Sequence, residues 1–148
     1  MIVRFWGARG SIPVSGQDYL KYGGDTTCVE IRTQDDEIIV IDAGSGIRRL
    51  GNRLIAENRN HFALLFTHAH WDHLMGFPFF KPIYVAGTSI AVYGCPFVQT
   101  SIKQMISNIM LPPYFPVNFD DLKADINYHE SCDTIFEHHA VQIATIPL

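Results

Sequence analysis

The stretch Thr67-His68-Ala69-His70-Trp71-Asp72-His73 holds three histidines and one aspartate within six residues. Imidazole nitrogens and carboxylate oxygens are good ligands for zinc and similar divalent ions. His68 and His70, spaced i, i+2, can point to one side of an extended turn and grip one ion. Asp72 and His73 follow where a helix can begin, and can turn toward a second ion close by. A metal pair of this kind lowers the pKa of a bridging water enough to give hydroxide near neutral pH.

Strands must deliver this segment. Residues 62–66 (FALLF) are an uninterrupted apolar run, as expected for a strand covered on both faces. Residues 37–41 (EIIVI) predict another strand, ending in Asp42-Ala43-Gly44-Ser45-Gly46, and residues 27–32 pair with it through the polar turn 33–36. Residues 2–6 predict a short buried strand, followed by a glycine-rich loop region over 7–24. Ile47, Leu50, Leu54 and Ile55 recur at helical spacing with arginines between them, so an amphipathic helix should run to about Asn58. A strand at 89–93 precedes a second amphipathic helix over 97–110, which Pro112-Pro113 stops. Weaker strands are expected at 125–130 and 134–137, and a better one at 141–146. The order predicts a single α/β (α+β) domain over 1–148.

Composition narrows the class. The chain has 148 residues, 47% hydrophobic and 18% charged, with net charge −4, which suits one globular domain. No basic run exceeds Arg48-Arg49, so a general nucleic-acid backbone binder is disfavoured. Cys28, Cys95 and Cys132 are odd in number and widely spaced. They read as small buried hydrophobes in a reducing cytoplasm rather than as a disulfide framework or zinc knuckle. The start, Met1-Ile2-Val3-Arg4-Phe5-Trp6-Gly7, lacks the pattern of a signal peptide. No apolar run reaches the ~18 residues of a membrane span.

The His-x-His-x-Asp-His motif after an apolar strand, with an upstream strand ending in IIVIDAG, resembles the metallo-β-lactamase superfamily. The similarity continues through FWGARGSIP, YGGDTTCVEI, IDAGSGIRRLG, FTHAHWDHLMGFPFFKPIY, PPYFPV and VQIATIPL, most of the chain. These segments are similar to the branch of tRNA 3′-processing endonucleases and cyclic-nucleotide phosphodiesterases. A histidine at position 70 separates the chain from the diiron flavoprotein relatives, which place glutamate there.

The resemblance implies an αββα sandwich, of which this chain supplies the first half and the start of the second. It implies two divalent ions in the complete protein, zinc first, with manganese or iron as alternatives. His68 and His70 would serve one ion, Asp72 and His73 the other, with Asp72 also orienting the attacking water. Asp42 would hold the histidine loop by hydrogen bonds, or else be a plain strand-end turn residue. The third histidine of the first ion is expected just after VQIATIPL, and the chain given stops at Leu148. His129, His138 and His139 fall before the final strand and read as surface or loop residues.

Several residues beside the motif have two readings. Arg9, Gly10 and Ser11 can contact a substrate phosphate, or form a tight turn with a solvated arginine. Asp25-Thr26-Thr27 can brace the site or cap a turn. Trp71 packs in the core or stacks on a base. The implied activity is hydrolysis of a phosphodiester or nucleotide-type substrate. The alternatives are a catalytically incomplete fragment with a structural or assembly role, and a thioester or carbonyl hydrolase on the same metal site. Apolar faces at Ile39, Ile41, Leu65, Ile143 and Ile146, left without the second half of the sandwich, predict self-association.

Overall fold

The computed structural model describes residues 1–95 and 101–146. Six strands form one sheet in chain order: β1 (Ile2–Gly7), β2 (Cys28–Arg32), β3 (Ile38–Ile41), β4 (His61–Leu65), β5 (Ser89–Gly94) and β6 (Asp125–Glu130). The first two pairings are antiparallel, and β3 through β6 run parallel. The parallel crossovers contain α1 (Ile47–Ala56), the short α2 (Trp71–Leu74) and α3 (Ile102–Asn108). A hairpin of β7 (Ile135–His138) and β8 (Val141–Ala144) forms a separate two-stranded sheet.

Alternation along the central strands sets the layers, because successive side chains point to opposite faces. Ile38, Val40, Phe62, Leu64, Ile90 and Val92 enter the larger core with Leu50 and Leu54 of α1 and Ile102 and Ile106 of α3. Their neighbours Ile39, Ala63 and Leu65 face the other way, against Phe136, Val141 and Ile143 of the hairpin. FALLF is thus covered on both faces because it lies mid-sheet between helices and hairpin. This arrangement is a mixed sheet covered by helices on one face and by the hairpin on the other.

The hairpin also corrects the expectation of open apolar faces: Ile39 is 3% and Leu65 9% exposed, while Ile146 beyond β8 stands open. The predicted buried strand at 2–6 is instead an edge strand, with Ile2, Val3 and Phe5 exposed. Being apolar does not bury it, because among the described residues only β2 pairs with it. Of the helix expected over 97–110, residues 102–108 are helical, and Ser101 caps it by accepting a hydrogen bond from the Gln104 N–H. Phe97 and Val98 lie outside the described residues, as do Pro147 and Leu148.

The cysteine reading holds only for Cys28, which is buried, free and held well above its usual pKa by burial. Cys95 and Cys132 form a disulfide, with Cα atoms 4.6 Å apart. The parallel register explains how residues 37 apart meet. Gly94 pairs with Glu130, and the Ser131 N–H donates to the Gly94 carbonyl, so both strands release their cysteines at the same sheet end. Disulfides are rare in reducing compartments, so the cysteines no longer support a cytoplasmic location. No helix among the described residues is long and apolar enough to cross a membrane.

Candidate metal centre

Asp42 follows the last residue of β3, in the left-handed region at φ 62° and 1% exposed. Aspartate tolerates this conformation better than most residues. Its backbone N–H donates to the Leu65 carbonyl, which places its carboxylate beneath the segment leaving β4. That carboxylate accepts the Thr67 N–H at 2.9 Å and the Thr67 hydroxyl at 2.9–3.0 Å. Its Oδ2 also lies 2.7 Å from His73 Nδ1. Asp42 therefore ties both ends of the histidine loop to the strand beside it.

These bonds fix ring tautomers. An ionised carboxylate only accepts, so in the neutral His73 ring the hydrogen sits on Nδ1 and the lone pair on Nε2. The Thr67 hydroxyl spends its proton on Asp42. Toward His68 Nδ1, 3.0 Å away, it must accept, which leaves His68 Nε2 unprotonated too. His68 Nε2 lies 2.9 Å from His70 Nδ1, and His73 Nε2 lies 3.6 Å from Asp72 Oδ2. Ring centroids of His68 and His73 are 4.0 Å apart. Ligand nitrogens on one tetrahedral zinc sit roughly 3.3 Å apart, given bonds of about 2.0–2.1 Å. The donor types suit a divalent ion, and the His68–His70 and His73–Asp72 pairs each stand close to that spacing. Burial, and then the neighbouring His73 and His70, hold His68 below the usual histidine pKa, in the neutral form that metal binding needs.

The loop after β1 closes one side. The Ser11 N–H donates to Asp72 Oδ2 at 2.8 Å, and Gly10 approaches the same oxygen. Burial raises the Asp72 pKa, but the Ser11 hydrogen bond and nearby groups outweigh it, and the carboxyl sits below its usual range. Arg9 turns elsewhere: its Nε donates to the Ile12 carbonyl, and its guanidinium lies over the Tyr19 ring at 5.1 Å.

Asp25 and Thr26 brace the next layer. Thr26 and Ser45 exchange backbone-to-hydroxyl bonds at 2.9 and 2.7 Å, and the Ser45 hydroxyl donates to Asp25. Gly44 makes this layer possible, since a Cβ there would collide with the Asp72 carbonyl and lie 2.6 Å from Thr26 Oγ1. Trp71 corrects the packing expectation. It is 57% exposed, because it opens a one-turn helix whose buried face is supplied by Leu74.

The sequence profile of the metallo-beta-lactamase superfamily matches residues 22–136, which include the whole motif and Asp42. The chain belongs to the metallo-beta-lactamase superfamily. No curated protein matches it. Among solved structures it is similar to a new diphosphatase from the PhnP family, at 16% identity and TM-score 0.60 over 95% of this chain. The match covers 54% of that diphosphatase, so the chain spans about half its length. At this identity the likeness concerns the superfamily fold.

The structure also brings together groups that sequence reading missed. Thr67, which sets the His68 tautomer, was signalled only by its place between strand and motif. His138 was read as a surface residue but is 5% exposed, at the end of β7 against Tyr93. Its chain position could not reveal that the hairpin folds back over the sheet. His129 and His139 are exposed as expected.

Proposed function

We propose that this chain forms part of a dinuclear metal-dependent hydrolase of phosphodiesterase type, acting on a phosphodiester or nucleotide-type substrate. The observation that carries the reading is the pairing of His68 Nε2 with His70 Nδ1 and of His73 Nε2 with the Asp72 carboxylate in one loop, with two tautomers set by Asp42 and Thr67. Superfamily membership and the diphosphatase neighbour support it. Zinc is the first choice for this imidazole-rich set, with manganese or iron behind it. When bound, such ions supply Lewis acidity and lower the pKa of water.

The chain's own residues prepare that chemistry. Asp42 holds His73 in the ligand tautomer and fixes the loop. The Ser11 N–H keeps the Asp72 carboxylate ionised and oriented. Gly10 and Ser11 present backbone beside Asp72, where a phosphate can approach closely.

The test is metal content and turnover of bis(p-nitrophenyl) phosphate against a thioester, on zinc-loaded protein extended beyond Leu148. Phosphodiester turnover abolished by His70→Ala supports the reading. Thioester turnover alone would replace it with the carbonyl-hydrolase alternative, and metal-free inert protein would leave the structural one.

A further inference from the structure

Glu37 precedes β3, and His61 opens β4, so both stand at the end of the sheet opposite Asp42 and the motif. The β7–β8 hairpin folds its turn over this end. Its two-residue turn, His139-Ala140, joins His138 to Val141, and His139 sits in the left-handed region at φ 51°. His139 Nδ1 lies 2.9 Å from Glu37 Oε1. One ligand atom each from Glu37, His138 and His139 lies within 4.8 Å of the others. The three border a cleft of about 140 Å³ that His61 and Ser89 also line.

His138 makes the cluster more than a surface coincidence. Its Nδ1 is 3.0 Å from the Tyr93 hydroxyl. Its Nε2 is buried and has no hydrogen-bond partner among the described residues. Buried polar atoms are nearly always satisfied, and an orphan calls for an ion, a water or a partner. Burial, and next the adjacent His139, hold His138 below the usual histidine pKa, so it stays neutral at physiological pH.

We propose that Glu37, His138 and His139 form a second, structural binding site for a zinc-class divalent ion, which pins the hairpin turn to the start of β3. Two imidazoles and a carboxylate are a recognised zinc donor set, with water or His61 completing four-coordination. Ligand atoms on one zinc are at most ~4.2 Å apart, given bonds near 2.1 Å, so the cluster must tighten on binding. His139 supplies that movement. Its side chain is exposed and its ring is stacked on His138 at a centroid distance of 4.3 Å, so it can turn without displacing the core. The site shares no residue with the His68–His73 motif and stands or falls independently of the proposed activity.

The experiment is zinc stoichiometry by equilibrium dialysis on the purified chain, with zinc chloride as the probe. The variants are His68→Ala/His70→Ala, and the same protein also carrying Glu37→Gln/His139→Asn. Asparagine keeps the left-handed turn at 139. The first variant should retain one zinc per chain, and the second should bind it at least about tenfold more weakly. Loss of all zinc in the first, or equal retention in both, overturns the proposal. Should the fourfold variant not fold, histidine NMR of the first decides. Zinc must shift the His138 and His139 ring signals and spare His129, and unshifted signals refute the site.

Discussion

The two histidine clusters lie at opposite ends of the same parallel strands and are built in different ways. At the Asp42 end, a buried carboxylate takes three hydrogen bonds, and His73 Nε2 and His68 Nε2 are left as acceptors, the latter facing His70 Nδ1. The Glu37 end has no such anchor. His138 is buried with one nitrogen open, and His139 stands in an exposed turn held to Glu37 by a single hydrogen bond. The first loop is tied down by Asp42 before any ion arrives, while the second needs a ring to move. Preorganisation of this kind favours catalysis, and looseness suits a site whose ion contributes folding energy instead.

The largest effect should come from removing the anchor. Asp42→Asn keeps size and tolerates the left-handed backbone, but presents an N–H₂ or a single carbonyl where two acceptors are needed. If the amide faces His73 Nδ1, the ring must shift its hydrogen to Nε2, which blocks the ligand atom. Metal affinity at the motif should fall 10–100-fold, in line with losses at comparable outer partners. Folding stability should drop by about 1–3 kcal/mol from the donors left short of acceptors. Zinc titration and urea unfolding measure the two, and zinc retained by the hairpin end should be unchanged. Undiminished affinity at the motif would mean that its shape does not depend on Asp42.

A second test reaches the loop that meets Asp72, through the strand leading to it. Glu30 of β2 is fully buried between Arg4, Trp6 and Arg32. Burial pushes its carboxyl up, but hydrogen bonds from Arg32, Arg4 and Trp6 outweigh burial and hold it below the ordinary value of 4.5. A lowered native pKa means that the ionised form stabilises the fold. That contribution is complete above the ordinary glutamate range and disappears as pH falls through the native value. Glu30→Gln should cost about 1–3 kcal/mol at neutral pH, because it removes a buried carboxylate that accepts from Arg32, Arg4 and Trp6. The gap to the parent in urea midpoint should narrow below about pH 4.5. A gap independent of pH would show that the loss is one of packing.

These differences also explain what was readable in the sequence. The motif lies within one loop, so the types and spacing of His68, His70, Asp72 and His73 carried the chemistry by themselves. The elements around them were legible for the same local reason: alternation in β3 and β4, and helical spacing at Ile47, Leu50 and Leu54. What failed depended on contacts between distant parts of the chain. The disulfide waited on the β5–β6 register, and the exposure of Phe5 on the strand order. The burial of His138 and its meeting with Glu37, 101 residues earlier, depended on where the hairpin lands.

Between these two lies Gly44→Ala. A methyl there meets the Asp72 and Thr27 carbonyls and the Thr26 hydroxyl at 2.4–2.6 Å. Overpacking of this kind costs about 1–3 kcal/mol, and relief must come from moving the histidine loop. Zinc affinity at the motif should therefore fall together with stability, while the hairpin site stays as it was. A stability loss with affinity intact would place the yielding part in the Thr26–Ser45 layer instead.

The smallest effect belongs to His139→Asn in metal-free protein. The asparagine keeps the turn conformation, and the lost contacts are one exposed hydrogen bond to Glu37 and the stack on His138. Exposed pairs contribute about 0–1 kcal/mol, and surface substitutions away from special features stay within about 0.5 kcal/mol. Urea unfolding in the presence of a chelator should thus barely distinguish the variant from its parent. With zinc added, the two should separate, because only the parent gains the binding free energy of the ion that spans turn and sheet. A large loss already in chelator would mean that the hairpin end is as preformed as the motif, and the contrast between the two sites would collapse. Identical behaviour with and without zinc would instead show that His139 holds no ion.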